Sequence, residues 1–256
     1  MSAFPLALAI FIVTLGSAFV GLALHVKLPD HHLDGNSKDV VKLVIGLVAT
    51  MAALVLGLLI ASAQSNYSTQ SGNVQQLAAD VVQLDHILDL YGPEADDARR
   101  LLRQAVGAAH DRIWSNHGIQ AQNLDPSAIH AQSDRFFFAV ASLAPKTEAQ
   151  QFAKNQAMQV SASAGQMRAL MFQESRNAVS WPFLLALTFW LSVLFLGFGL
   201  LARFHATVAA ALLIGSLSVS AAIFLILELG SPYSGIIQIS DAPIRMVLAQ
   251  PLTAGQ

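Results

Sequence analysis

Four runs of about twenty apolar residues constrain this chain more than any other feature. They cover residues 4–26, 40–63, 179–202 and 206–227. A bilayer core about 30 Å thick is crossed by about 20 residues of α-helix. Irregular backbone would leave polar groups unpaired in lipid, so each run is predicted to be a helix. The sequence therefore predicts a membrane protein with four spans.

The first run has a second interpretation, a cleaved signal peptide, because small residues occur from Gly16 to Ala18. No Lys or Arg precedes the run, however, and its apolar stretch is longer than the usual core of a signal peptide. A membrane span is therefore the favoured interpretation.

The composition argues against several other functions. Apolar residues make up 54% of the chain and charged residues 12%, with a net charge of −2. This charge gives no basic surface for nucleic acid. The absence of cysteine excludes disulfides, thiolate catalysis and Cys-ligated zinc. Because the sequence contains no phosphate-binding, hydrolase or metalloprotease motif, we expect neither an enzyme nor a cofactor.

The residues between the second and third runs predict a helical domain exposed to water. Apolar residues recur there in alternating steps of three and four, at Val74, Leu77, Val81, Leu84, Leu88 and Tyr91. This spacing is typical of a helix with one packed seam. No turn signal separates it from the second run, so one long helix is predicted, ending at Gly92 and Pro93.

Three further helices are predicted before the third run. Acidic residues from Glu94 to Asp97 open the first, and Arg99, Arg100 and Arg103 are spaced to pair with them. Asp125 and Pro126 begin the second. Thr147 is a candidate cap for the third, which should continue into the third span. Its predicted packed face is Ala149, Ala153, Gln156, Val160, Ser163, Met167 and Leu170. Asp85 with Asp89 is expected to be a solvated pair.

The predicted fold is an all-α membrane protein with four transmembrane helices and a helical stalk domain inserted between the second and third. The divisions are residues 1–63 for the first two spans and their loop, 64–178 for the stalk, 179–229 for the last two spans, and 230–256 for an amphipathic tail. The tail's apolar face, Ile244, Val247 and Leu248, could re-enter the membrane interface or dock on the protein. Docking is the favoured interpretation.

One face of the second span consists of small residues, namely Gly46, Thr50, Ala53 and Gly57. Small residues let helices approach closely in lipid. Gly46, Ala53 and Gly57 are therefore candidates for helix packing, which is the favoured interpretation, while the same face could instead border a pore or an ion path through Thr50.

Candidate gate or ion-path residues are ionisable and lie next to the spans. They are His31 and His32 in the first loop, Lys42 at the start of the second span, and Glu228 at the end of the fourth. The histidines, with Asp30 and Asp34, are compatible with a divalent metal, a pH-sensitive gate or a solvated loop. Because no metal-binding His spacing is present, no metal site is predicted and the solvated loop is favoured.

Several motifs resemble a bacterial membrane family of unknown function described as bestrophin-like. They are residues 28–33, 38–42, 46–59, 91–94 and 228–235. Bestrophins are anion channels, typically pentameric, with four membrane helices per subunit and a cytosolic helical domain between the second and third. The resemblance implies a homo-oligomer in the bacterial inner membrane that contacts lipid, moves a small ion and places the stalk in the cytoplasm. Lys and Arg near the span ends do not decide the orientation.

The chain also departs from the bestrophins. It lacks an acidic calcium-binding cluster after the fourth span, and its second span contains no aromatic neck. Two functions follow as hypotheses: an oligomeric ion channel or transporter, and a non-conducting membrane-anchored sensor or scaffold that acts through its stalk.

Overall fold

The computed structural model describes residues 3–27, 35–114, 126–174, 181–233 and 235–249. Its helices are α1 (Ala3–Lys27), α2 (Gly35–Tyr91), α3 (Asp96–Trp114), α4 (Pro126–Ala141), α5 (Glu148–Glu174), α6 (Trp181–Leu201), α7 (Ala206–Leu229) and α8 (Ala242–Ala249). A short 3₁₀ turn, Pro93–Ala95, precedes α3. The described residues contain no strand, and the prediction of an all-α protein is confirmed.

The chain divides into two compact units. The membrane unit comprises residues 1–66 and 178–231, and the insert unit comprises residues 67–177 and 232–256. Four described helices, α1, α2, α6 and α7, are long and apolar enough to cross a membrane. They coincide with the four predicted runs.

Helix α2 is longer than a membrane span. As predicted, it continues without a break to Tyr91. Gly92 then takes a φ of 112°, which side-chain-bearing residues rarely adopt, and Pro93 follows. The predicted continuation of α5 into the third span falls on residues 175–180, which lie outside the described residues.

Glycines bring α1 and α6 into backbone contact within the membrane unit. A Cβ added to Gly21 would collide with the Leu196 carbonyl oxygen, and one added to Gly199 would collide with the Ala18 carbonyl oxygen. A Cβ at Gly197 would strike the Ile45 side chain of α2. Lipid is as apolar as the side chains, so packing this close, rather than the hydrophobic effect, holds the helices together.

Hydrogen bonds join α1 to α6 and to α7. His25 Nδ1 donates to the Leu200 carbonyl oxygen at 2.8 Å, near the carboxyl ends of α1 and α6. Ser220 of α7 donates to the Ala7 carbonyl oxygen of α1 at 2.7 Å. Since α1 and α6 meet at their carboxyl ends, they run in the same direction, as alternating crossings of a membrane require.

The insert unit has the core that the seam on α2 predicts. Val74, Val81, Leu84, Leu88 and Tyr91 are each at most 5% exposed. They form clusters with buried residues of the other helices, among them Ala98, Leu102, Phe136, Val140 and Ala157. The heptad interpretation of this stretch is confirmed.

The start of α5 is also as predicted, and its packed face is predicted in part. The Gln150 N–H donates to the Thr147 hydroxyl at 3.1 Å, which caps the helix. Ala153, Val160 and Met167 pack against the core clusters as predicted. The most buried residues, Ala157 and Met171, each lie one position after the predicted Gln156 and Leu170, and Leu170 is 51% exposed. Most residues of α5 are small or polar, so its faces differ too little in hydrophobicity for the sequence to define the packed face fully.

Arg99 is a buried cation held between two carboxylates of α2. Its guanidinium donates to both oxygens of Asp85, each at 3.2 Å, and to Asp89 at 2.6 Å. The hydrogen bonds that Arg99 donates to Asp85 raise the pKa of Arg99. The expectation of a solvated Asp85–Asp89 pair is therefore wrong. Among the three arginines, Arg100 shows the predicted pairing within α3, with Asp97.

The segment after α7 packs against residues 67–177, the other part of the insert unit. Tyr233 donates to the Gln70 side chain at 2.7 Å, and the Trp114 indole donates to the Ile239 carbonyl oxygen at 2.9 Å. Ile239 and Ile244 are each at most 5% exposed. The favoured interpretation of a docked amphipathic segment agrees with these contacts.

Gly21→Ala should destabilise the membrane unit because its methyl group meets the backbone of α6, which cannot move aside as a flexible side chain could. Overpacking of this kind costs about 1–3 kcal/mol. Gly16→Ala is the matched control, since an added Cβ there meets nothing within 4 Å. The measurement is the temperature at which each purified variant loses its monodisperse peak in size-exclusion chromatography. Equal temperatures for the two variants would contradict the close contact.

Arg99→Ala should lower the free energy of unfolding by about 2–3 kcal/mol, since it leaves two carboxylates without their shared cation. This lies below the cost of about 3–5 kcal/mol for fully buried pairs because Asp85 and Asp89 remain partly exposed. Arg100→Ala, which breaks an exposed pair, should cost less than about 1 kcal/mol. Thermal unfolding followed by circular dichroism compares the two, and a larger effect at Arg100 would refute the assignment.

Candidate functional site: the exposed face of α2

Helix α2 is the most exposed of the four spans within the chain. Only 11% of its most apolar 18-residue stretch is buried by the rest of the chain, compared with 39% for the same length of α6. One side of the helix is covered, with Ile45 at 8% and Ala52 at 3% exposure. The opposite side of this span is left for lipid or for another subunit.

The exposed side of α2 separates into two stripes. At about 100° of rotation per residue, a step of seven turns a side chain by only about 20°, and alternating steps of three and four keep it within about 60° of one direction. The large stripe is apolar and consists of Val40, Leu43, Leu47, Met51, Leu54 and Leu58, all between 45% and 74% exposed. The small stripe, turned by about a quarter of the circumference, consists of Asp39, Lys42, Gly46, Thr50, Ala53, Gly57 and Gln64, all exposed, with one large residue, Ile60 at 37% exposure, between Gly57 and Gln64. Large apolar side chains suit lipid, whereas charged side chains are costly within it and small ones are typical of close contact between helices.

Polar groups of the small stripe are bonded locally. Lys42 Nζ lies 3.0 Å from Asp39 Oδ1, with both side chains mostly exposed. The Thr50 hydroxyl donates to the Leu47 carbonyl oxygen at 2.7 Å. The Thr50 hydroxyl proton is therefore used within its own helix. The middle of the stripe carries only small side chains.

The small stripe meets no other helix in the described part of the chain. A Cβ added to Gly46 or Gly57 would find nothing within 4 Å, and Ala53 is exposed. The described part of the chain therefore does not supply the packing predicted for these three residues. Close approach takes place instead at Gly21, Gly197 and Gly199.

The remaining predicted site residues are not brought onto this stripe. Glu228 is 5% exposed and lies on α7. His31 and His32 lie outside the described residues. The described part of the chain contains no group of three His, Asp or Glu arranged to hold a metal. The structure therefore unites Lys42 and Thr50 with the small residues and separates them from Glu228.

A second feature, in the insert unit, was not predicted from the sequence. An open cavity of about 280 Å³ lies among its helices, with mostly apolar walls and three ionisable lining residues, His110, Asp134 and Arg168. Burial lowers the pKa of Arg168, an effect that the charge of Asp134 opposes. One feature of the sequence could have singled out Arg168. No carboxylate lies three or four residues away from it on α5.

The four apolar helices and their glycine-mediated packing define a polytopic helical membrane protein. A family model described as Bestrophin-like domain matches residues 12–244, nearly the whole chain. The chain belongs to this bestrophin-like family. No curated protein and no solved structure matches it.

The two stripes predict different access to water for cysteines placed on them. The chain has no native cysteine, so each introduced thiol reports alone. Thr50→Cys and Ala53→Cys should react with a charged, membrane-impermeant methanethiosulfonate if the small stripe faces water, because the reaction needs a solvated thiolate. Leu47→Cys and Leu54→Cys, on the large stripe, should stay unmodified in liposomes.

Mass spectrometry of the intact variants measures the extent of modification. Extensive labelling of all four variants would contradict the division into a lipid-facing and a water-facing stripe. If none is labelled, the small stripe lies in a dry contact.

Proposed function

We propose that the protein is a subunit of an oligomeric channel for small ions, with copies of α2 surrounding the pore. The observation that carries this proposal is the division of the exposed face of α2 into a large apolar stripe and a small, polar-ended stripe. A span surrounded only by lipid needs no such division. A span with lipid on one side and a water-filled path on another does.

The chemistry along the small stripe fits a permeation path. Lys42 and Asp39 lie at one end as an ion pair, and repetition around an axis would place a ring of such paired charges at the mouth of the path. Gly46, Thr50, Ala53 and Gly57 leave the central part open. Bulky side chains at these positions would narrow the same path.

Family membership and composition support the rest of the proposal. The match to the bestrophin-like model covers all four spans at least in part and the insert between the second and third. By likeness to bestrophins, we place the oligomer in the bacterial inner membrane with the insert unit in the cytoplasm. Lipid then contacts the large stripe of α2.

Ion flux into liposomes that contain the purified protein tests this function. The wild-type protein should conduct, and chloride and potassium gradients measured separately show the sign of the ion. Ala53→Phe should abolish most of the flux by filling the path, whereas Leu54→Phe, one position away on the large stripe, should leave it unchanged. The absence of flux for anions and cations across a range of pH would refute the channel.

A second candidate function, a non-conducting sensor or scaffold, is favoured by the cavity in the insert unit, since a pore does not require one. Oligomeric state distinguishes the two functions. A ring of subunits in detergent-free particles favours the channel, and a monomer or two-fold dimer favours the sensor.

A further inference from the structure

Ile236, in the segment between α7 and α8, is an apolar residue exposed outside the four spans. It is 82% exposed, more than any other large apolar residue in the described part of the chain. Its side chain has no polar atom, so the hydrogen bonding of this residue involves its backbone and leaves the side chain exposed. Because Ile236 does not belong to a span, lipid around the spans does not account for its exposure.

Hydrogen bonds give the turn that carries Ile236, residues 235–238, a defined shape. We call this turn the tip. The Ile239 N–H donates to the Pro232 carbonyl oxygen at 2.9 Å, and the Gln238 side-chain amide donates to the Gly235 carbonyl oxygen at 2.9 Å. Gly235 takes a φ of 105°, which residues with a side chain rarely adopt. The tip therefore holds Ile236 outside the packed cluster to which Ile239 belongs.

Two connections limit the distance between the tip and the membrane. The Tyr67 hydroxyl donates to the Gln238 carbonyl oxygen at 3.3 Å. Tyr67 follows Ala63, the end of the apolar run on α2, by four residues, or at most about 6 Å of helix. Ile236 follows Leu229, the end of α7, by seven residues, which span at most about 25 Å. Since the headgroup layer is about 5–8 Å thick on each side of the hydrocarbon core, the tip lies within reach of this layer.

The residues around the tip suit the boundary between water and lipid. Residues 230–240 contain no Asp, Glu, Lys, Arg or His. Two of the three tyrosines of the chain, Tyr67 and Tyr233, each follow the end of an apolar run or span by four residues. Tyrosine is enriched at membrane interfaces because its ring is apolar and its hydroxyl is polar. An uncharged apolar tip next to two tyrosines therefore fits lipid better than a charged partner.

We propose that the tip is an interfacial anchor, in which Ile236 inserts among the lipids at the surface of the membrane that the spans cross. Ile239 and Ile244 of the same segment are buried in the insert unit, so the segment contacts both protein and lipid. Insertion removes the apolar side chain from water and requires no anionic lipid. The anchor is separate from the small stripe of α2, and the inference holds whether or not the protein conducts ions.

Fluorescence quenching on the full chain in nanodiscs of phosphatidylcholine tests this anchor. The chain has no native cysteine, so Ile236→Cys carries one environment-sensitive fluorophore. Met246→Cys is the matched control, because Met246 is 67% exposed on the same segment. Its neighbour Ile244 packs with Val74, which lies about 16 Å of helix beyond Ala63.

The quenchers are phosphatidylcholine with a nitroxide near the top of the acyl chain, and iodide in the water. The lipid nitroxide should remove about half or more of the fluorescence at position 236 and little of it at position 246, because an interfacial side chain reaches that depth. Iodide should show the opposite order.

Three outcomes would overturn the anchor. Equal quenching of the two labels by the lipid nitroxide would show that the tip is no closer to lipid than α8. Protection of position 236 from iodide without quenching by lipid would mean that protein, such as a second copy, covers the tip. A requirement for added phosphatidylglycerol would assign the contact to a cation such as Arg245 instead of Ile236.

Hydroxyl-radical footprinting followed by mass spectrometry measures the same contact without a fluorophore. In nanodiscs, Ile236 should be oxidised about threefold or more slowly than the isoleucine introduced by Met246→Ile, because lipid shields the tip. Within the chain alone Ile236 is the more exposed of the two positions, so slower oxidation requires a covering from outside. Equal oxidation of the two isoleucines would contradict insertion.

Discussion

The membrane unit depends on the backbone contact between α1 and α6. In lipid, helices gain little from burying apolar side chains, so their association depends on how closely they can approach. Gly21 and Gly199 each leave room for a carbonyl group of the opposite helix. His25 of α1 adds a hydrogen bond to a backbone carbonyl oxygen of α6, and Ser220 of α7 adds one to a backbone carbonyl oxygen of α1. With α1 and α6 joined in this way, α2 packs by one side only, and its small stripe is left outside.

Local sequence patterns predicted most of the helices. The apolar runs, the seam from Val74 to Tyr91, the end at Gly92 and the cap at Thr147 depend on residues close together in the chain, and each agrees with the structure. The packed face of α5 was predicted only in part, because most of its residues are small or polar and one face resembles its neighbour. Periodicity identifies a packed face only where the contrast between faces is strong.

Contacts between residues far apart in the sequence could not be predicted from the spacing of residues along the chain. Arg99 has acidic neighbours within its own helix and still pairs with Asp85 and Asp89 of α2, because burial against α2 brings these groups together. The small residues of the second span lie on one face, as predicted, but the described glycines at which an added Cβ would collide with another helix are on α1 and α6. The cavity around Arg168 combines residues of five helices, so no local motif marks it.

The docked segment has a consequence for synthesis of the protein. Ile239 and Ile244 complete a cluster with Val74, Ala78 and Met171, yet they leave the ribosome about 60 residues after the rest of the insert unit. At about 5–20 residues per second, this delay lasts several seconds, during which the third and fourth spans are made. The nascent insert unit must therefore wait with part of its apolar core uncovered, and its last wall is added only after the whole membrane unit has been translated.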